Sequence, residues 1–206
     1  MLEIMKVAVF LLLPLALAAQ TSASEVKIDT PRVRVLAATE QPHQPTALHQ
    51  HQFNRVMIYL DSGRMTETRP SGERQTIDFK AGDVRWSPAA GPHTSEFFAD
   101  HPVRLIEIEV KSMPASEPVL SPLDPLKVDP EHYSLVFENP QVRVLRVRFG
   151  AGESSARHEH SLDHIVVYLT DQARGKAGEV RLDGPMIHTE QNPLPRPVER
   201  IAVDLK

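Results

Sequence analysis

Histidines arrive in pairs along this chain. His49 and His51 flank Gln50, His158 and His160 flank Glu159, and His164 follows the second pair. Single histidines come later, at His93 and His188. A neutral imidazole is the commonest protein ligand for a transition metal, and residues i and i+2 of a strand face the same side. Each pair is therefore half of a metal site if its segment is extended, with Gln50 and Glu159 turned away. The other ligands must come from neighbouring strands, as the wall of a barrel would supply them. The competing reading is a solvated histidine patch at the mouth of a strand. His43, His101 and His132 fall outside the paired pattern and read as surface residues.

The elements that would position these side chains are strands. Short runs rich in Val and Ile alternate with period two: VRVL from Val33, VMIYL from Val56, VRLIEIEV from Val103, VRVLRVRF from Val142, IVVYL from Ile165 and RIAVDL from Arg200. Gly, Pro and Asp separate them, and helical periodicity is hard to find. Many short, punctuated strands argue for an all-β sandwich or barrel.

The chain also repeats itself. TPRVRVL at Thr30 returns as NPQVRVL at Asn139, and LHQHQFNRVMIYL at Leu48 returns as RHEHSLDHIVVYL at Arg157, both at an offset of 109 residues. KAGDVRWSPAAGPHTSE at Lys80 returns as KAGEVRLDGPMIHTE at Lys176, offset 96, and PVRLIEIEVK at Pro102 returns as PVERIAVDLK at Pro197, offset 95. Four blocks in one order make an internal duplication. The second copy is 13 residues shorter between its middle blocks, which predicts the loss of a hairpin and an open or shallow barrel. Proline-rich sequence between the copies reads as a spacer rather than a strand. The expected layout is a leader over 1–23, a first unit over 24–111, a linker over 112–130 and a shortened second unit over 131–206.

Composition bounds the function. VAVFLLLPLALAA near the N-terminus is 13 residues without charge, shorter than the roughly 20 a membrane helix needs, and small residues follow. It reads as a secretory signal peptide cut after about Ala19 or Ala23, which predicts a periplasmic or secreted protein with no membrane span after processing. A net charge of −4 supplies no basic face for nucleic acid. The absence of cysteine excludes disulfides, thiolate ligands and a cysteine nucleophile. Asp83 and Glu179 each follow a glycine and read as turn formers. Glu96 and Glu190 read as rim residues, and Trp86 as core.

With these blocks in place the sequence resembles the cupin superfamily, in a two-cupin (bicupin) arrangement. The family's first motif runs G, five residues, H-x-H, three or four residues, E, six residues, G. Copy two matches with Gly152, His158 and His160, but has His164 in place of the Glu and Asp171 in place of the closing Gly. Copy one has His49 and His51, with His43 for the first Gly and Arg55 for the Glu. The second motif runs G, five residues, P-x-G, two residues, H, three residues, N. Copy one matches with Gly82, Pro88 and His93 but has Phe97 for Asn; copy two matches with Gly178, His188 and Asn192, one residue short.

The resemblance implies an all-β fold of two tandem cupin-type jelly-roll β-barrels, the second shortened. It implies a divalent transition metal (Fe, Zn, Ni, Cu or Mn) held by His158, His160, His164 and His188, by His49, His51 and His93, or by both sets. Family activities include metal-dependent dioxygenases and isomerases as well as non-catalytic binding and sensing, so fold does not fix function. Cupins also pair, so a homodimer belongs to the expectation. Four imidazoles would leave the charge of the metal uncompensated in copy two. In copy one a cation stands at the carboxylate position. Arg55 must swing away or pair with an anion, and a small carboxylate substrate bridging metal and guanidinium would make it a catalytic anchor.

Overall fold

The computed structural model describes residues 22–113 and 117–206. The leader expectation therefore falls almost wholly outside the described residues. Copy one comprises β1 (Ala23–Asp29), β2 (Val33–Glu40), β3 (His49–His51), β4 (Asn54–Tyr59), β5 (Gly63–Thr68), β6 (Arg74–Phe79), β7 (Val84–Ser87), β8 (Ala90–Phe98) and β9 (Val103–Val110). A one-turn helix, α1 (Pro125–Val128), precedes copy two. That copy comprises β10 (Tyr133–Glu138), β11 (Val142–Phe149), β12 (His158–His160), β13 (His164–Tyr168), β14 (Val180–Asp183), β15 (Met186–His188) and β16 (Val198–Leu205).

Each copy is a jelly-roll of two antiparallel sheets. The larger sheets have the orders β1-β2-β9-β4-β7 and β10-β11-β16-β13-β14, which are the same order in equivalent strands. The register agrees to the residue: Val33 pairs with Val110, and its equivalent Val142 pairs with Leu205. A β-bulge falls between Val26 and Ile28 in copy one and between Leu135 and Phe137 in copy two, again equivalent positions. The smaller sheets differ. Copy one has four strands, β3-β8-β5-β6, whereas copy two keeps only β12-β15. The missing residues are the hairpin β5–β6, so copy two is the shortened one.

The alternation of the central strands buries both faces. On β4, Val56 and Ile58 face one way and Met57 and Tyr59 the other; on β16, Ile201, Val203 and Leu205 oppose Ala202. The outward set forms one apolar cluster with seven side chains from each copy, among them Val33, Ile58 and Ile108 against Val142, Val167 and Val203. Each of the seven is the duplicate of one in the other copy. The two large sheets thus pack face to face about a pseudo-two-fold axis, as an isologous dimer interface does.

The polar rim keeps the same symmetry. Asn54 Nδ2 donates to Gln141 Oε1 at 2.6 Å, and the duplicate positions hold the Arg32–Asp163 ion pair at 3.0 Å. The turn glycines Gly82 (φ 86°) and Gly178 (φ 86°) take left-handed backbone, where Asp83 and Glu179 accept from the amides of Lys80 and Lys176. A Cβ at Gly82 would lie 3.6 Å from Leu169, and one at Gly178 would lie 3.1 Å from Leu60, so each turn packs on the other copy's duplicate leucine.

The linker ends as part of copy two. Asp124 is buried, caps α1 by accepting from Leu126 N at 3.1 Å, and accepts from Arg143 Nη2 of β11 at 2.7 Å. Ile108→Ala should cost about 2–5 kcal/mol in urea unfolding, because it hollows the shared layer. Val119→Ala, at a residue 92% exposed, should stay within about 0.5 kcal/mol of the parent.

Candidate metal centres

Strand pairing brings each histidine pair to its distant partner. His49 lies across from His93 on β3–β8, and His158 across from His188 on β12–β15. The ligating atoms of His49, His51 and His93 lie within 4.8 Å of one another, as do those of His158, His160 and His188. The rings are held in one tautomer. Nδ1–H of His49, His93 and His158 donates to the carbonyl two residues back (Ala47, Gly91 and Ala156) at 2.8, 2.9 and 2.9 Å. His164 does the same to Leu162 at 3.2 Å. Such bonds leave the Nε2 lone pairs as the free ligands, which is the usual outer-shell arrangement around a metal-binding histidine.

The two copies part at the position where the motif expects a carboxylate. In copy one, Arg55 is 4% exposed, and Nη1 donates to His51 Nε2 at 2.8 Å. The same guanidinium reaches Glu107 Oε2 at 2.7 Å and Ser87 Oγ at 2.9 Å. A guanidinium is always a donor, so it occupies the lone pair of His51 that a metal would need. Of the two options the sequence left for this cation, the structure has it paired with an anion, one supplied by the chain itself.

In copy two the donor atoms are freer. His188 Nε2 is buried without a hydrogen-bond partner, and Glu190 Oε1 stands 3.5 Å away. His158 Nε2 accepts only a neutral hydroxyl, from Tyr133 at 3.0 Å. A buried, unsatisfied imidazole nitrogen beside two other histidines fits a transition metal. The four expected ligands do not form one cluster, however. His164 groups with His160 and Asp204, all three buried, and the rings of His160 and His164 stack at 4.4 Å. His160 belongs to both trios.

Several neighbours escaped the sequence. Tyr133 is fully buried over His158 and His160. Glu190, expected on the rim, is half-buried between His188, Tyr133 and Arg200, with which it forms an ion pair. Arg200 also covers the Phe149 ring at 5.5 Å. His132, expected on the surface, stacks on Phe149 at 4.4 Å and bonds Asp129 at 2.7 Å. Asp204 carried one legible signal: an acid at the inward phase of an apolar strand.

Each copy has a cavity of about 340 Å³. In copy one it contains the histidine trio, Arg55 and Glu107. In copy two it opens beside His188 and Glu190, between Phe149, Tyr168, Arg174 and Arg200. There the chain turns directly from β13 to β14, where copy one inserts the hairpin.

Burial disfavours the charged imidazoles. It lowers His51 to about 3, helped by Arg55, and His160 to about 2 and His188 to about 4, helped by adjacent histidines. Burial also lowers His158 and His164, and raises Asp204 to about 7. These five histidines are therefore neutral at pH 7, the form that binds metal.

No family model matches the sequence, and no curated protein matches it. Solved structures do match in fold. A cupin 2 conserved barrel domain protein from Leptotrichia buccalis is 16% identical over 92% of each chain, with TM-score 0.56. AerE from Microcystis aeruginosa is 11% identical over 94% of this chain and 96% of its own, with TM-score 0.63. Bacillus subtilis oxalate decarboxylase, studied for its Mn(II) centres, is 13% identical over 90% of this chain and 72% of its own, with TM-score 0.62. The chain has the cupin fold, with histidine clusters arranged as metal ligands.

The depressed histidines fix the sign of the pH dependence. Between about pH 4 and 6.5 the unfolded chain protonates His51, His160 and His188 while the native chain does not; Asp204 opposes them with one proton. Unfolding of the chelated protein near pH 5 should therefore take up at least about two protons, since the lowering of His158 and His164 acts in the same direction. Urea midpoints should fall steadily from pH 7 to pH 4.5, and a flat profile would contradict the neutral assignment.

Proposed function

We propose that this is an exported metal-binding cupin-fold protein whose working centre lies in copy two. His158, His160 and His188, whose ligating atoms lie within 4.8 Å of one another, hold one divalent transition metal there, with His164 grouped behind His160. The observation that carries this reading is the contrast at Nε2: His51 of copy one is engaged by the cation Arg55, whereas in copy two His158 meets only the neutral Tyr133 hydroxyl and His188 is buried and unpartnered. The N-terminal apolar run supports export.

The chemistry that fits an imidazole-rich site with an adjoining cavity is catalysis on a small molecule, either oxygen-dependent oxidation or isomerisation at a carbonyl. When bound, the metal would supply a Lewis acid or a redox centre. The chain's own groups would do the rest. Arg174 gives the cavity wall positive charge beyond the Arg200–Glu190 ion pair, suited to an anionic substrate, and Phe149 and Tyr168 exclude water from one side. Tyr133 Oη lies 3.0 Å from His158 Nε2 and 3.4 Å from Glu190 Oε2, so its one hydroxyl proton can pass between these two acceptors. The oxalate decarboxylase among the similar structures acts on a small dicarboxylate, which supports the substrate class. Arg55 is not needed as a substrate anchor, since Glu107 already neutralises it.

Elemental analysis of untagged protein should find about one metal ion per chain. His158→Ala/His160→Ala should lose it and His49→Ala/His51→Ala should keep it. Arg55→Glu should raise the content towards about two, by freeing His51 and restoring the carboxylate of the motif. Metal retained in the first variant, or lost only in the second, rejects copy two as the centre. Electronic spectra of the Co(II)-loaded protein that shift on adding oxalate indicate open coordination; unchanged spectra favour a non-catalytic binding protein.

A further inference from the structure

The substitution of His164 for the motif carboxylate leaves a charge to be found elsewhere. Asp204 on β16 lies directly across from His164 in the β13–β16 register, so both side chains project from one face of the sheet. Its carboxylate is 4% exposed, and Oδ1 is buried without any hydrogen-bond partner. The nearest cation is Arg143, whose Nη1 is 3.7 Å from Asp204 Oδ2. That guanidinium is already clamped by both oxygens of Asp124. On the other flank, Asp183 lies 3.9 Å from His164 Nε2, but Arg181 holds it at 2.8 Å. Asp204 is the acid left over.

Comparison of the copies sharpens this. In copy one the residue at the His164 position is Arg55, a built-in cation with an acid, Glu107, at 2.7 Å. In copy two that cation is replaced by a neutral imidazole and Glu107 by Ala202, while the acid directly across the register, Glu109 in copy one, becomes the buried Asp204. An isolated buried carboxylate is costly unless a positive charge meets it. The ligating atoms of His160, His164 and Asp204 already lie within 4.8 Å of one another.

We propose that Asp204 is the carboxylate ligand of the metal centre in copy two, forming with His160 and His164 a two-histidine, one-carboxylate set that His160 joins to the outer trio. Such a set suits Fe(II) or another divalent first-row ion. The inference rests on the reading of copy two as the metal centre, and extends it by naming a ligand from the last strand, outside both histidine motifs.

The test measures Zn(II) and Fe(II) affinity of the full chain by chelator competition, with urea unfolding of each variant in excess chelator. Asp204→Asn should weaken binding by at least about ten-fold. The double variant His164→Glu/Asp204→Asn should regain most of that affinity, because it returns an acid to the motif position. The metal-free Asp204→Asn protein should be as stable as its parent, since Arg143 keeps Asp124. Wild-type affinity in Asp204→Asn would overturn the assignment and leave the histidine centre standing. Weakened binding with no rescue, accompanied by a destabilised metal-free protein, would also overturn it and make Asp204 a structural partner of Arg143. Failure of the parent itself to bind either metal would overturn the centre as a whole.

Discussion

The molecule is organised by one apolar layer, the contact between the two large sheets. Seven side chains of one copy meet their own duplicates, so every favourable packing choice made once is used twice. This contact settles the inner geometry as well. Once Val56, Ile58, Ile106 and Ile108 are committed to the layer, period-two alternation sends Arg55, Met57, Leu105 and Glu107 into the barrel. A slip of one residue would exchange the two sets and place charges in the layer. The positions of the site residues therefore follow from the layer, and not from any contact among themselves. The hairpin β5–β6 belongs to the smaller sheet and packs, through Met65 and Phe79, on the inward set and not on the layer, which is why copy two can do without it.

Freed from that constraint, the interiors have diverged by charge. Both copies keep the paired histidines and their distant partner, with Nδ1 of His49, His93 and His158 tied to nearby carbonyls. The difference is what sits at one position of β4 and β13. A guanidinium in copy one meets a glutamate, a serine and an imidazole at once, so both terminal nitrogens are paired within the chain and only Nε is left without a partner. An imidazole in copy two leaves Asp204 and His188 each with a buried, unsatisfied atom. Satisfied networks rigidify a core, whereas unsatisfied ones signal a missing partner. Duplication gives the protein two versions of one scaffold, one closed by its own side chains and one left open.

Much of this was legible in the sequence because it is periodic or repeated. The offsets of 109, 96 and 95 identified the copies and the strand alternation gave the fold class; the 13-residue deficit located the missing hairpin. His43, standing where Gly152 stands in copy two, adopts φ 58° against 75° for the glycine, so the turn survives the substitution. What escaped was pairing across long sequence separation. Glu107 meets Arg55 from 52 residues away, and Asp124 reaches Arg143 from a linker that composition marks only as proline-rich. His132 looked superficial because its burial depends on Phe149, a strand away. Periodicity assigns a side chain to a face, but the partner on that face is set by register, which a single sequence does not display.

The linker and the lost hairpin together give copy two one closed end and one open end. At the closed end, Leu123 O accepts from Glu159 N at 2.9 Å, Ser121 Oγ donates to the Glu159 carboxylate at 2.5 Å, and Asp124 seals Arg143 inside. Glu159, the residue between the paired histidines, is thereby turned outward and fastened, which holds His158 and His160 inward. At the open end, the missing hairpin exposes the cavity beside His188. Arg174, His188 and the Arg200–Glu190 pair line that cavity, while Asp204 is buried outside its lining on the last strand. Anion-facing charge outside and a carboxylate within is the polarity that a cation placed between them would require.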